Sequence, residues 1–155
     1  MSVLRNELGD FSSIVCFKAA ITGMEEALGD KATAIALTTA GRARGKKLAE
    51  ELGLVGSSMS LDDVATKLNQ AIGKEGTRLC IVDKIISQGD TVKVYTSETF
   101  CSAGEPANSP RKCTFTMGAV WGAMEVFMGK RLKGSQVESV LRGGNHDVFE
   151  FVPFE

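Results

Sequence analysis

The stretch TRLCIVDKIISQGDTVKVYTSETF, residues 77–100, decides the fold class. Thr77 to Ile86 is apolar and β-branched, the composition of a strand. Ser87-Gln88-Gly89-Asp90 is a turn signal. Thr91 to Phe100 alternates, with Val92, Val94 and Thr96 on one face. These features predict a β-hairpin, and what precedes it reads as helix.

Working upstream, a first helix begins near Asp10 or Ser12 and ends at Gly29, with Asp10, Ser12 or Ser13 as its cap. Ile14, Phe17, Ile21, Met24 and Leu28 give it an apolar face. A second helix runs from about Ala32 to Leu52. Its first half is apolar all round, which predicts burial. Its second half, GRARGKKLAEEL, is amphipathic, with Leu48 and Leu52 inward. Gly41 and Gly45 share one face, for close helix packing or a smooth wall beside a ligand or partner. Ser60 opens a third helix in a capping-box pattern that runs to about Ile72.

Downstream, Cys101 to Arg111 is a loop holding Pro106 and Pro110. A helix from about Cys113 to Met128 is apolar on most sides, with Gly118 and Gly122 again four apart and Gly129 as its stop. Ser135–Arg142 and Asp147–Phe154 read as strands joined at Gly143-Gly144-Asn145, with Asp147 and Glu150 on the polar face of the second. The order is ααα-ββ-α-ββ. The predicted class is α+β: N-terminal helices, an antiparallel four-stranded sheet and a central apolar helix, in one domain over residues 1–155.

Composition excludes several classes. With 43% apolar and 24% charged residues the chain is ordinary for a globular protein, so disorder and fibrous rods are poor readings. Its 18 basic and 19 acidic residues leave no global field to draw in nucleic acid. No stretch reaches the roughly 18–20 apolar residues of a membrane span. The start, MSVLRNELGD, has no apolar core of a signal peptide, so the expectation is a soluble cytoplasmic protein. Its four cysteines, with no C-x-x-C pair, are then free thiols.

The chemistry-bearing residues are few. The lone His146 lies in a turn and no G-x-S-x-G elbow exists, so no catalytic residue is assigned. Phosphate-loop and dinucleotide motifs are missing. Cys113, at a helix N-terminus beside Arg111 and Lys112, has its thiolate favoured by dipole and charge; the alternative is a buried, inert thiol. A zinc site from Cys101, Cys113 and His146 has no recognisable spacing, and no metal ligands are assigned. Trp121, between Gly118 and Gly122, either frames a cavity or fills the core.

Three stretches resemble the 4-vinyl-reductase-like, or hydrocarbon-binding, domain family: Gly41 to Leu48, Cys113 to Gly122 running on to Met128-Gly129, and Val137-Glu138-Ser139. The family's closing cysteine pair has no counterpart here, since no cysteine follows Cys113. The resemblance implies a fold shared with haem nitric-oxide-binding domains and TRAPP vesicle-tethering subunits. It also implies a pocket for a hydrophobic small molecule, a sensory or carrier role and a homodimer. The residues expected to line that pocket are Phe115, Met117, Trp121 and Cys113, with Phe100 and Cys101 from the loop. Arg111 and Lys112 would pair with the carboxylates of a tetrapyrrole, if that is the ligand. The competing readings are an enzyme or subunit acting on a tetrapyrrole vinyl group, and a dimeric scaffold with no ligand.

Overall fold

Ser13 accepts a hydrogen bond from Val15 N and Ser60 accepts one from Asp63 N, and each caps a helix. In the computed structural model, which describes residues 3–154, these open α1 (Ile14–Leu28) and α3 (Leu61–Ile72). α2 (Asp30–Glu51) follows α1 with only Gly29 between them, at φ 87°. Then come β1 (Ile81–Gln88), β2 (Thr91–Ser97), α4 (Thr114–Met128), β3 (Leu132–Glu138), a 3-10 turn (Val140–Arg142) and β4 (Asp147–Pro153). The sheet is antiparallel throughout, in the order β1-β2-β4-β3. The architecture is the α+β one that the sequence predicts.

Several boundaries differ from the sequence reading, each for a local reason. β1 starts at Ile81, not Thr77, because residues 77–80 fold back onto the end of α3. Thr77 N donates to Ala71 O, and Leu79 N and Cys80 N both donate to Ile72 O. β2 stops at Ser97 because Glu98 takes φ 50°, turning Thr99 and Phe100 inward. β3 is Leu132–Glu138, not Ser135–Arg142. Glu125 accepts from Leu132 N and Trp121 donates to Leu132 O, which pins the strand's start. At its far end Val140 N donates to Asp147 Oδ1 and Leu141 N to Ser139 Oγ, which bends the chain into the 3-10 turn. β4 is central, so its N-terminal end is enclosed. Asp147, expected on a polar face, is fully buried.

The first half of α2 is not buried all round, contrary to expectation. α2 inserts one stripe, Thr33, Leu37, Gly41, Gly45 and Leu48, and leaves Ile35 58% exposed. That stripe meets α4 at unusually close range. A Cβ on Gly45 would lie 1.9 Å from Ala119 O, and one on Gly122 would lie 2.2 Å from Arg42 O. Gly41 and Gly118 interlock the same way: a Cβ on either would lie 3.1 or 3.2 Å from the other's Cα, inside van der Waals contact. The spaced glycines are therefore a backbone-to-backbone helix contact. The main core gathers Leu54, Val64, Leu68, Val94, Met124, Leu132, Phe149 and Phe151 around it. α1 stands apart. Only Ile21 of it is buried, in a small separate cluster with Leu37 and Phe100.

Candidate functional site

The loop between β2 and α4 threads beneath α1, and the chemistry-bearing side chains collect there. Phe100 packs edge-on against Phe17 of α1 at 5.0 Å and against Phe115 of α4 at 6.2 Å. Lys18 reaches down from α1 and donates to Phe100 O and Cys101 O at 3.3 and 3.0 Å. It also pairs with Glu105 at 3.0 Å. Arg111 bridges the same carboxylate and Glu25 of α1, at 2.7 and 2.8 Å. Four charges thus latch α1 to the loop. Hydrogen bonds from Lys18 and Arg111 outweigh partial burial and hold the Glu105 carboxyl below its ordinary value.

Between α1, this loop and the start of α4 lies a crevice lined by Lys18, Ile21, Thr22, Phe100, Cys101 and Thr114, with Arg111 and Lys112 at its edge. It encloses about 20 Å³, room for roughly one water. A wider and more open depression of about 380 Å³ lies over β3 and the 3-10 turn, among Gln136, Glu138, Ser139 and Arg142. Its walls are mostly polar, so it lacks the apolar lining of a ligand pocket.

Below the crevice floor is a buried polar knot. Asp147 Oδ1 accepts from Val140 N at 3.0 Å and Gln136 Nε2 at 3.3 Å. Its Oδ2 accepts from Thr99 Oγ1 at 2.5 Å and Ser102 Oγ at 2.9 Å. Four donors fill the lone-pair positions of one carboxylate. Gln136 Oε1 also accepts from Cys113 N, so it takes one of the open amides of α4 in place of a side-chain cap. Cys113 Sγ sits 3.6 Å from both Thr99 Oγ1 and Ser102 Oγ. Cys101 Sγ lies 3.9 Å from Thr116 Oγ1, one helical turn along α4 from Cys113.

The two thiols meet the same loop–helix junction and diverge in acidity. Donation to Cys101 and then burial push Cys113 strongly up. Burial would raise Cys101 too, but hydrogen bonds led by the one from Cys113 bring it below the ordinary thiol value. This corrects the expectation of a favoured thiolate at Cys113. The sulfur points inward, Arg111 is spent on two carboxylates and Lys112 is exposed, so the flanking charge does not reach it. Cys80 is pushed up by burial, and Cys16 is exposed on α1.

Phe100, Cys101, Arg111 and Lys112 therefore come together at the crevice, Phe115 joins through its ring contacts and Cys113 lies beneath. Met117 and Trp121 lie elsewhere. Met117 packs on the main core. Trp121 is sandwiched by Arg42, 4.3 Å from its ring, and Phe151, and a Cβ on Gly134 would press its ring at 2.9 Å. That side chain fills space rather than framing a cavity. His146 is half-buried, 3.5 Å from Asp83 and edge-on to Tyr95. No group of three or more His, Cys, Asp or Glu among the described residues could hold a metal. Sequence reasoning missed Lys18, Ile21, Thr22, Thr99, Ser102, Thr114, Gln136 and Asp147. The one usable signal was Lys18, a cation interrupting the apolar face of α1 between Phe17 and Ile21.

No family model matches the sequence, and no curated protein matches it significantly. The likeness is in the fold. The phenol-responsive sensory domain of the transcription activator PoxR, solved with phenol, superposes with a TM-score of 0.71 at 17% identity, over 93% of this chain and 76% of that one. A trafficking protein particle complex subunit 3 from Naegleria fowleri, covalently bound to palmitic acid, gives 0.57 at 15% identity, over 92% and 93%. A vinyl-4-reductase family protein from Methanocaldococcus jannaschii gives 0.52 at 16% identity, over 96% and 86%. The chain shares the fold of these three structures, the fold that the motifs at Gly41–Leu48 and Cys113–Gly129 implied. No helix among the described residues is long and apolar enough to cross a membrane.

Proposed function

We propose that the whole chain is one small-molecule-binding module of sensory or carrier type, whose ligand enters the crevice beneath α1. The observation that carries this is the mismatch between roof and floor. The floor is apolar and chemically furnished by Phe100, Cys101 and Phe115, while the roof is a helix that buries a single residue. Such a roof is held by a few polar contacts and can lift without breaking the main core. The fold supports the same reading, since one neighbour was solved with phenol and another carries palmitic acid.

The charges at the crevice favour an apolar, uncharged ligand. Lys18 and Arg111 are both engaged by Glu25 and Glu105, which leaves Lys112 as the one lining cation with no carboxylate partner. A tetrapyrrole with two carboxylates would have to take Arg111 from its partners, so a single ring or an acyl chain suits the site better. A homodimer is also proposed, through Val15 and Leu28 of α1 and Ile35 of α2, which are large, apolar and more than half exposed.

Native mass spectrometry of the full chain challenged with phenol, palmitate and protoporphyrin tests this. One phenol or acyl ligand per chain is expected. Thr22→Trp, which plugs the crevice from an exposed position, should weaken it by about tenfold or more, or ~1.4 kcal/mol. Uptake of none of the three, with a dimer persisting, would favour the scaffold reading. Binding undiminished by Thr22→Trp would move the site away from the crevice.

A further inference from the structure

We propose that Cys101 and Cys113 form a peroxide-reactive dithiol, with Cys101 as the attacking sulfur and Cys113 as its resolving partner. The geometry comes from both sides of the loop. Cys101 lines the crevice floor, so a small hydroperoxide reaches it from solvent when α1 breathes. Cys113 Sγ is held 3.6 Å from Thr99 and Ser102, the residues flanking Cys101 and its neighbour Phe100. Cys101 Sγ is held against Thr116, on the same face of α4 as Cys113. Both sulfurs thus sit at one junction, between residues 99–102 of the loop and the first turn of α4. Cys80 and Cys16 share neither feature: Cys80 is buried away from the crevice lining, and Cys16 is exposed on α1.

The acidities run in the direction that this division of labour needs. The thiolate is the nucleophile, and the more acidic thiol of the pair is the one that faces the crevice. Thr116 suits both forms of Cys101, because a hydroxyl accepts from the thiol and rotates to donate to the thiolate.

The chemistry balances with hydroperoxide as the oxidant. The Cys101 thiolate bonds to one peroxide oxygen and the O–O bond breaks. The departing hydroxide takes up the proton that Cys101 released on ionising, giving water (an alcohol if the peroxide is organic) and a sulfenic acid on Cys101. The Cys113 sulfur then bonds to the Cys101 sulfur and the S–O bond breaks. The expelled hydroxide takes the Cys113 proton and leaves as a second water. Two thiols lose two electrons, and the hydroperoxide gains them. Lys18 holds the Cys101 carbonyl, so the new bond forms at a residue already tied to α1.

This inference does not depend on what ligand the crevice takes, and its test needs none. The full chain carrying Cys16→Ser, which removes intermolecular pairing, is treated with one equivalent of hydrogen peroxide and digested without reductant. The expected result is a mass loss of about 2 Da and a linked pair of peptides containing Cys101 and Cys113, both reversed by dithiothreitol. Adding Cys113→Ser should leave Cys101 trapped by dimedone, and adding Cys101→Ala should slow peroxide consumption by about tenfold or more. If a variant loses its circular dichroism spectrum, the peptide map of the parent decides alone. Both cysteines still alkylatable after treatment and unfolding, or Cys101 linked to Cys80 instead, would overturn the assignment.

Discussion

Replacing Gly45 with alanine adds one methyl group, and the structure states what that methyl meets. Its Cβ would lie 1.9 Å from Ala119 O, 2.7 Å from Ala119 C and 3.0 Å from Ala119 Cα, all backbone atoms of α4. Ordinary van der Waals contact begins near 3.4 Å, so α2 must retreat from α4 by more than an ångström. No rotamer change relieves the clash, because neither side of it is a side chain. The retreat would loosen the Gly41–Gly118 contact and the 2.7 Å bond from Arg42 to Glu125. Overpacking with flexible neighbours costs about 1–3 kcal/mol, and this site belongs at or beyond the top of that range. Gly23→Ala is the matched control. It lies inside α1 with nothing within 4 Å of the new methyl, so it should stabilise by up to about 1 kcal/mol through helix propensity. Urea unfolding followed by circular dichroism measures both. A Gly45→Ala loss under about 1 kcal/mol would refute the backbone-contact argument.

Other perturbations test the rest of the reasoning. Asp147→Ala removes the acceptor for Thr99, Ser102, Gln136 and Val140 N. With Gln136 keeping Glu138 O and the hydroxyls able to turn to sulfur, it should cost about 3 kcal/mol; a denaturation midpoint close to wild type would contradict the knot's role. Glu125, though burial opposes it, is held below the ordinary 4.5 by hydrogen bonds from Arg42 and Leu132 N, and Glu105 is lowered likewise. A carboxyl lowered in the folded state confers stability that is complete above the ordinary value and lost as pH falls through the native one. The unfolding midpoint should therefore drop on acidification below about pH 4.5, less steeply in Glu125→Gln; identical acid profiles would exclude Glu125 as a contributor. Lys18→Met should speed hydrogen exchange of α1 amides by about tenfold while leaving α2 and α4 unchanged; uniform exchange in all three helices would mean that α1 is not separately latched.

The element order was legible because it rests on periodicity and turn residues, and these act locally. The hairpin at residues 77–100 carried the α+β class, and the pair Gly41/Gly45 allowed close helix packing without naming α4 as the partner. What could not be read depends on partners distant in sequence. The strand's start at Leu132, three residues before the expected Ser135, is set by Glu125 and Trp121 of α4, which hold its backbone. Asp147 looked solvated because alternation assigns faces without saying which strand is central. Four residues that line the crevice, Phe100, Cys101, Arg111 and Lys112, are ones the sequence picks out, since a loop bracketed by cysteines and basic residues marks itself in composition. Of the rest, Thr114 opens α4 and Lys18, Ile21 and Thr22 come from α1, where the cation marked itself on an apolar face but nothing showed that it would cross to the loop's carbonyls.

The two ways helices are held here explain why the proposed ligand site lies beneath α1 and not in the α2–α4 seam. α4 meets α2 backbone to backbone, and separating them even slightly forfeits dispersion contacts along the whole seam. α1 is held by ion pairs that are partly solvated and by ring edges at Phe17. Each such ion pair is worth about 0–1 kcal/mol and each ring contact about 0.5–1.5 kcal/mol. Lifting α1 therefore costs on the order of a few kcal/mol, and its charges regain water as they part. A ligand with micromolar affinity for the opened crevice supplies roughly 8 kcal/mol, enough to offset the opening and still bind. The same numbers applied to the α2–α4 seam leave nothing over. Occupancy of the proposed site should thus be read out as a change in α1, whose outer face carries Val15 and Leu28, part of the surface proposed for a second copy.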